Sequence, residues 1–159
     1  MKRCARCGHD LPTKEFYPSK TNRSGFTSWC RDCWSAYSKT VARKTYTTLK
    51  GQLRHRAKAA RARAVRFQLP FNIDADYLLE LWEKQDGKCA LSGIPFVLSD
   101  GSGSRKQPFR PSVDRIRPTR GYVRGNVRLV ATIVNFGMNK WGLKDFLIMC
   151  RAVVVMNGG

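Results

Sequence analysis

At 159 residues the chain has room for one compact domain, or for a small domain with a metal-held module, and none for a multidomain enzyme. Hydrophobic residues make up 42% and aromatic ones 11%, which excludes wholesale disorder, and no apolar run approaches the ~20 residues of a membrane span. Thirty Lys and Arg stand against 11 Asp and Glu, a formal net charge of +19. A surface so unbalanced repels itself unless a polyanion supplies the missing charge, so nucleic acid is the expected partner and a membrane is not. Met1-Lys2-Arg3-Cys4 lacks the apolar core of a signal peptide, and a cytoplasmic location with reduced cysteines is expected.

Four of the six cysteines form two CxxC pairs, Cys4/Cys7 and Cys30/Cys33. The two-residue spacing turns both thiolates of a pair onto one ion, and two such knuckles complete a tetrahedral sulfur shell. Two disulfides are the alternative, which needs an oxidising compartment. A closed four-cysteine shell leaves no open coordination position, so one structural Zn2+ is expected. Between the pairs, Pro12, Pro18 and Gly25 with Phe16, Tyr17, Phe26 and Trp29 predict two short hairpins around a very small core. This zinc-binding ribbon spans 1–37. His9 is read as a surface residue.

The stretch 38–70 is basic and helical. Lys39, Arg43, Lys44, Lys50, Arg54, Arg56, Lys58, Arg61, Arg63 and Arg66 occur without one acid between Ser35 and Gln68. Leu49, Leu53, Ala57, Ala60, Ala64 and Phe67 recur at three- and four-residue steps, which predicts a helix over the second half, with a break near Gly51. Ten like charges with no local counter-ion predict a helix that binds phosphate backbone, giving affinity and salt dependence without sequence information.

The remainder, 71–159, reads as one domain. Asn72 or Asp74 caps a helix reaching Gln85, with Tyr77, Leu78, Leu81 and Trp82 on one face. Lys88–Phe96 reads as a short strand and turn, and Ser99–Pro108 as a mobile Gly/Ser/Lys loop. Then follow strand, loop with two glycines, strand and helix from Pro111 to Lys140. A final helix over Trp141–Met156 is expected to bury a face against Trp82, Leu81 and Ile133, with Cys150 as a small buried hydrophobe.

Asp114-Arg115-Ile116, Gly121-Tyr122, Gly125-Asn126-Val127 and a helix carrying Asn135 make the segment 86–150 resemble the HNH (ββα-metal) nuclease superfamily in its phage-type variant. Gly87–Phe96 matches that family's leading hairpin. The two CxxC pairs followed by a basic helix are similar in layout to rare-cutting restriction enzymes of the superfamily. The resemblance implies an α+β protein: a four-cysteine zinc ribbon, a long basic helix, and a ββα-metal fold with flanking helices. It implies a DNA endonuclease with one divalent metal, in a phage homing or restriction-like role, acting in the host cytoplasm.

Phosphodiester hydrolysis needs a cation at the transition state, and oxygen ligands from Asp114 and Asn135 suit Mg2+ or Mn2+. By resemblance Asn126 orients the active-site side chain by hydrogen bonding, and Asn139 and Lys140 meet phosphate. Arg120 and Arg124 join Lys140 as DNA-binding residues of this domain. Arg115 stands where most relatives carry the general-base His. A guanidinium cannot accept a proton at neutral pH, but it can clamp the scissile phosphate. Tyr122, His55 and metal-assisted hydroxide remain as sources of the base. Cys89 lacks a CxxC partner, Ser92 standing in its place, so no second zinc is expected.

Double-stranded DNA is therefore the expected partner, with a homodimer if both strands are cut. The competing class is a non-catalytic, sequence-specific DNA-binding protein on a degenerate HNH fold. An RNA-binding zinc protein ranks third, because stacking aromatics are not gathered on a sheet-like motif.

Overall fold

The computed structural model describes residues 1–100 and 107–159; most of the loop expected over 99–108 lies outside the described residues. The chain forms two compact units, Met1–Thr45 and Tyr46–Gly159.

In the first unit, β1 (Lys2–Arg3) pairs antiparallel with β2 (Asp10–Leu11), and β3 (Phe16–Pro18) with β4 (Phe26–Cys30). The buried core consists of Phe16, Cys4 and Cys30, with Leu11, Phe26, Trp29 and Cys33 packed around it. So few apolar groups hold a fold of this size poorly against chain entropy, and the four cysteines lie close enough together that they could hold a metal ion to reinforce it. Helix α1 (Arg31–Thr47) begins directly after β4, so Cys33 lies in its first turn and the segment 1–37 already contains the start of a helix.

The second unit opens with α2 (Leu49–Arg66). The break in the basic stretch is at Thr48 and not at Gly51: Thr48 Oγ1 accepts a hydrogen bond from Gly51 N at 3.1 Å, capping the new helix, while Gly51 is buried inside it. Leu53, Ala57, Ala60 and Ala64 form the buried stripe of α2. It packs with Tyr77 and Leu78 of α3 (Ala75–Lys84) and with Ile73 into the main core. Full burial of Leu53 and Leu78 contributes roughly 1.5–3 kcal/mol each. Asp74 is the cap of α3, its Oδ1 accepting from Tyr77 N at 2.7 Å. Asn72 holds the chain elsewhere, its Oδ1 accepting from Arg124 N at 2.8 Å.

Strands β5 (Pro111–Arg115) and β6 (Val127–Ala131) pair antiparallel without a slip, with Val113 opposite Leu129 and Asp114 opposite Arg128. The two-residue period sends Val113, Leu129 and Val127 into the core with α2 and α3, and leaves Ser112 and Asp114 on the opposite face. Helix α4 (Thr132–Met138) follows β6 directly.

The last helix, α5 (Gly142–Met156), departs from expectation. None of its residues is buried, and Ile133 is exposed. Trp82 stacks on Phe96 at 5.3 Å and, with Leu81, belongs to the main core, so the face proposed to receive α5 is already filled from the leading hairpin. Phe146 instead packs against Gly137 of α4, where a side chain would meet its ring within 2.4 Å.

The loop between β5 and β6 is pinned to the chain leading into α3. Tyr122 N donates to Pro70 O at 2.9 Å and Asn72 N donates to Tyr122 O at 3.0 Å. Gly121, at φ +75°, precedes this junction, and a Cβ there would lie 2.4 Å from the Pro70 carbonyl oxygen. Gly121→Ala should therefore destabilise the second unit by roughly 2–4 kcal/mol, read as a lower urea midpoint in far-UV circular dichroism.

Candidate functional site

A cleft of about 410 Å³ is lined by Arg63 of α2, Asp114 and Arg115 of β5, Tyr122 of the loop, Asn135 within α4 and Asn139 just past its end. Each side chain is aimed by a local constraint. Asp114 sits directly across the strand pair from Arg128, whose Nε donates to Asp114 Oδ2 at 2.8 Å; the two side chains are 14% and 21% exposed. Asn135, in the first turn of α4, donates from Nδ2 to Ser112 Oγ at 2.8 Å and to Val113 O at 3.3 Å. Its amide nitrogen is thus tied to β5, which leaves its carbonyl oxygen as the group available for a cation.

Tyr122 organises the cationic wall. Arg63 Nε donates to the Tyr122 hydroxyl at 2.9 Å, with the guanidinium 5.5 Å from the ring centroid. The Arg115 guanidinium lies 5.0 Å from the same centroid and donates to Pro118 O at 2.9 Å. One buried ring therefore holds two guanidinium groups at a cleft whose single carboxylate is already paired with a third arginine. The electron-rich ring face offsets part of their mutual repulsion.

Asn126 is 2% exposed and grips the loop instead of an active-site side chain. Its Nδ2 donates to Arg117 O at 3.0 Å and to Gly121 O at 2.8 Å, while its Oδ1 accepts from Arg117 N at 3.1 Å. It acts on the cleft by fixing the loop that carries Tyr122. His55 does not line the cleft. It stands edge-on to Tyr46, with 5.1 Å between ring centroids. Burial, reinforced by Arg56 and Lys58, lowers its pKa.

The ten cations of the basic stretch do not share one role. Lys39, Arg43 and Lys44 lie exposed on α1. Lys50 has a counter-ion that the local sequence does not show, Asp76 of α3 at 2.6 Å, and the Lys50 ammonium with Arg54 behind it holds the Asp76 carboxyl below its ordinary range. Arg54, Lys58 and Arg61 share a groove of about 590 Å³ with Asp74 and Asp76. Arg56 is half-buried, and desolvation beside Arg110 and Arg63 lowers its pKa. Arg66 lies over the Phe67 ring at 5.3 Å. Of the later residues, Arg120 is exposed. Arg124 lies over the Tyr77 ring at 4.8 Å and 3.5 Å from Asp74, and Lys140 over the Trp141 ring at 5.0 Å.

The place of Arg63 in the cleft and the pairing of Arg128 with Asp114 are what the sequence hides, while Tyr122, singled out there as a source of the base, lines the cleft. The available signal for Arg63 is its spacing of seven from Arg56 on a helical stripe beside the apolar one.

In the first unit the ligand atoms of Cys4, Cys7, Cys30 and Cys33 lie within 4.8 Å of one another. A tetrahedral shell with metal–sulfur bonds of ~2.3 Å places its sulfurs about 3.8 Å apart, so a small contraction closes it. Cys30 N donates to Cys4 Sγ at 3.2 Å. Burial raises the Cys4 pKa, but hydrogen bonds from the backbone of Cys7, Cys30 and Arg6 and from the Cys7 thiol outweigh it and bring it to about 6. Cys33, desolvated and hydrogen-bonded among the other three thiols, is pushed up to about 12. These sulfurs fit a thiophilic ion. The oxygens of Asp114 and Asn135 fit a hard divalent ion that keeps water or phosphate in its remaining positions.

No protein-family model and no curated protein matches the chain. Among solved structures it is similar to the rare-cutting HNH restriction endonuclease PacI, at 17% identity and a TM-score of 0.40, over 96% of this chain and 93% of that one.

Elemental analysis of the purified protein should find one tightly held ion per chain. Cys30→Ser should remove it, whereas Cys89→Ser, whose thiol lies in the second unit, should leave it in place.

Proposed function

We propose that the chain is a DNA endonuclease of the HNH (ββα-metal) type, in a phage homing or restriction-like role, with zinc in the four-cysteine cluster. The observation that carries this reading is the cleft itself: β5, α4 and α2 bring one carboxylate, one amide oxygen and two guanidinium groups to one surface. The family motifs at Asp114-Arg115, Gly121-Tyr122 and Asn135 fall on its walls.

Each group has a part in phosphodiester hydrolysis. The Asp114 and Asn135 oxygens would hold Mg2+ or Mn2+, which supplies positive charge to the pentacovalent phosphate and the departing oxygen. Arg115 and Arg63 bind the non-bridging phosphate oxygens, where charge accumulates as water attacks. Tyr122 positions Arg63 through its hydroxyl and both arginines through its ring. Asn126 holds the loop that carries Tyr122. Outside the cleft, Arg54, Lys58 and Arg61 follow the duplex backbone and raise affinity without reading bases.

A second reading, a DNA-binding protein without catalysis, draws on the Asp114–Arg128 pair, which neutralises the one carboxylate of the cleft. The two readings part on one substitution. Asp114→Asn keeps the shape and removes the charge. The nuclease reading expects Mg2+- or Mn2+-dependent cleavage of duplex DNA to fall by at least ~100-fold while binding in EDTA is equal or tighter. If the wild-type chain cuts with neither metal, the binder stands.

Arg63 separates chemistry from affinity within the basic helix. Arg63→Lys should lower single-turnover cleavage by roughly 10–100-fold with duplex saturating, because a point charge replaces a fork-shaped donor. Neutralising Arg54, Lys58 and Arg61 together should weaken binding and flatten its salt slope, with cleavage of bound DNA kept at low salt.

A further inference from the structure

The first unit gathers its aromatic rings where β4 runs into α1. The Trp29 ring of β4 lies 5.5 Å from that of Trp34 and 5.2 Å, edge-on, from that of Tyr37, both on α1. Two exposed arginines rest on rings of this unit. The Arg6 guanidinium is 4.9 Å from the Trp29 centroid and 5.7 Å from that of Tyr37, and its Nη1 donates to Cys33 O at 3.1 Å. The Arg31 guanidinium is 4.7 Å from the Tyr17 centroid, and its Nε donates to Lys14 O at 2.9 Å. Neither arginine has a carboxylate partner among the described residues. Each is therefore immobilised by a ring and a backbone carbonyl, at a cost in side-chain entropy that no ion pair offsets.

A guanidinium that rests on a ring and is exposed turns its other face to solvent. That face is flat, cationic and weakly hydrated, and the flat group that covers it best is a nucleobase. In a duplex the two faces of a base are covered by its neighbours, so a base must be unpaired and unstacked to present one. Charge supplies the rest of the fit. Residues 1–45 carry ten Lys and Arg against three Asp and Glu, which draws in the phosphates that link such bases.

We infer that the first unit binds single-stranded nucleic acid, with one unpaired base stacked on Arg6 over Trp29 and Tyr37 and another on Arg31 over Tyr17. The ligand chemistry is an unpaired base on a phosphate chain, which deoxyribose and ribose strands share. The four-cysteine cluster then has a second consequence besides holding the fold, because Cys33 carries the carbonyl that fixes Arg6. The inference rests on the rings and guanidinium groups of the first unit alone. It does not depend on the nuclease reading, which concerns the cleft of the second unit.

Fluorine NMR on the full chain, its four tryptophans labelled with 5-fluorotryptophan and assigned by substitution, tests it. The probes are oligo(dT) and oligo(rU) of about 15 nucleotides and a duplex of the same length, in about 0.2 M salt without added Mg2+ or Mn2+. The Trp29 resonance should move with at least one single strand and stay in place with the duplex at equal nucleotide concentration. The strand that moves it further identifies the sugar. A Trp29 resonance that neither strand moves, or that the duplex moves as far, overturns the proposal. Arg6→Lys and Arg31→Lys together keep the charge and remove both flat faces. Single-strand affinity should then fall by at least ~10-fold, with metal content and duplex affinity unchanged. Unchanged single-strand affinity means that charge alone suffices, and overturns it. If the double variant loses its metal, the labelled unaltered chain decides.

Discussion

The cleft depends on one backbone junction, the pair of hydrogen bonds that Tyr122 makes with Pro70 and Asn72. Through it the loop between β5 and β6 is held against the chain that joins α2 to α3, and the Tyr122 ring is buried where Arg63 and Arg115 converge. The approach is close enough that only a residue without Cβ fits at 121. Asn126 secures the other side of the loop, and the Tyr77 hydroxyl accepts from Gly125 N at 2.8 Å. Four contacts from three parts of the chain thus fix one ring. Loops usually carry function at the expense of rigidity, and this one has the hydrogen bonding of a core element.

The same junction explains why α2 is both basic and well packed. Its apolar stripe of one leucine and three alanines lets α3 lie close, and the adjacent stripe carries Gln52, Arg56 and Arg63. The Gln52 amide exchanges hydrogen bonds with the Ser99 backbone at 3.0 and 3.2 Å. A third side, with Arg54, Lys58 and Arg61, faces the groove shared with Asp74 and Asp76. Exposed pairs such as Lys50–Asp76 contribute little to stability and are screened by salt. They reduce self-repulsion in a chain this basic.

Much of this was legible in the sequence, and the parts that were not share a cause. The CxxC spacing, the alternation over Pro111–Arg115 and Val127–Ala131, and the order of Asp114, Asn126 and Asn135 are local patterns, and local patterns set hairpins, registers and caps. The α1 start at Arg31 was missed because the second CxxC pair, read as a knuckle, straddles a strand end and a helix start. The counter-ion of Lys50, the place of Arg63 and the grip of Asn126 on Arg117 and Gly121 depend on which faces meet in three dimensions. Hydrophobic periodicity says that a helix has a face to bury, but it does not name the partner. For α5 it suggested Trp82, whose ring is taken by Phe96.

Asp114 illustrates how one residue can satisfy structure and chemistry together. In an antiparallel pair the residue opposite a strand-end carboxylate is its nearest neighbour, and Arg128 at that position makes the ion pair almost unavoidable. Pairing through Oδ2 fixes the carboxylate plane and leaves Oδ1 as the oxygen that Arg128 does not take. A carboxylate held in this way keeps its orientation when a cation or a phosphate enters, whereas a free one would first have to be ordered, at a cost in side-chain entropy. Arg128 also lowers the net negative charge beside Asp114; under the proposed nuclease reading two protein oxygens alone would hold a divalent ion weakly, and phosphate oxygens would supply the missing charge and ligands.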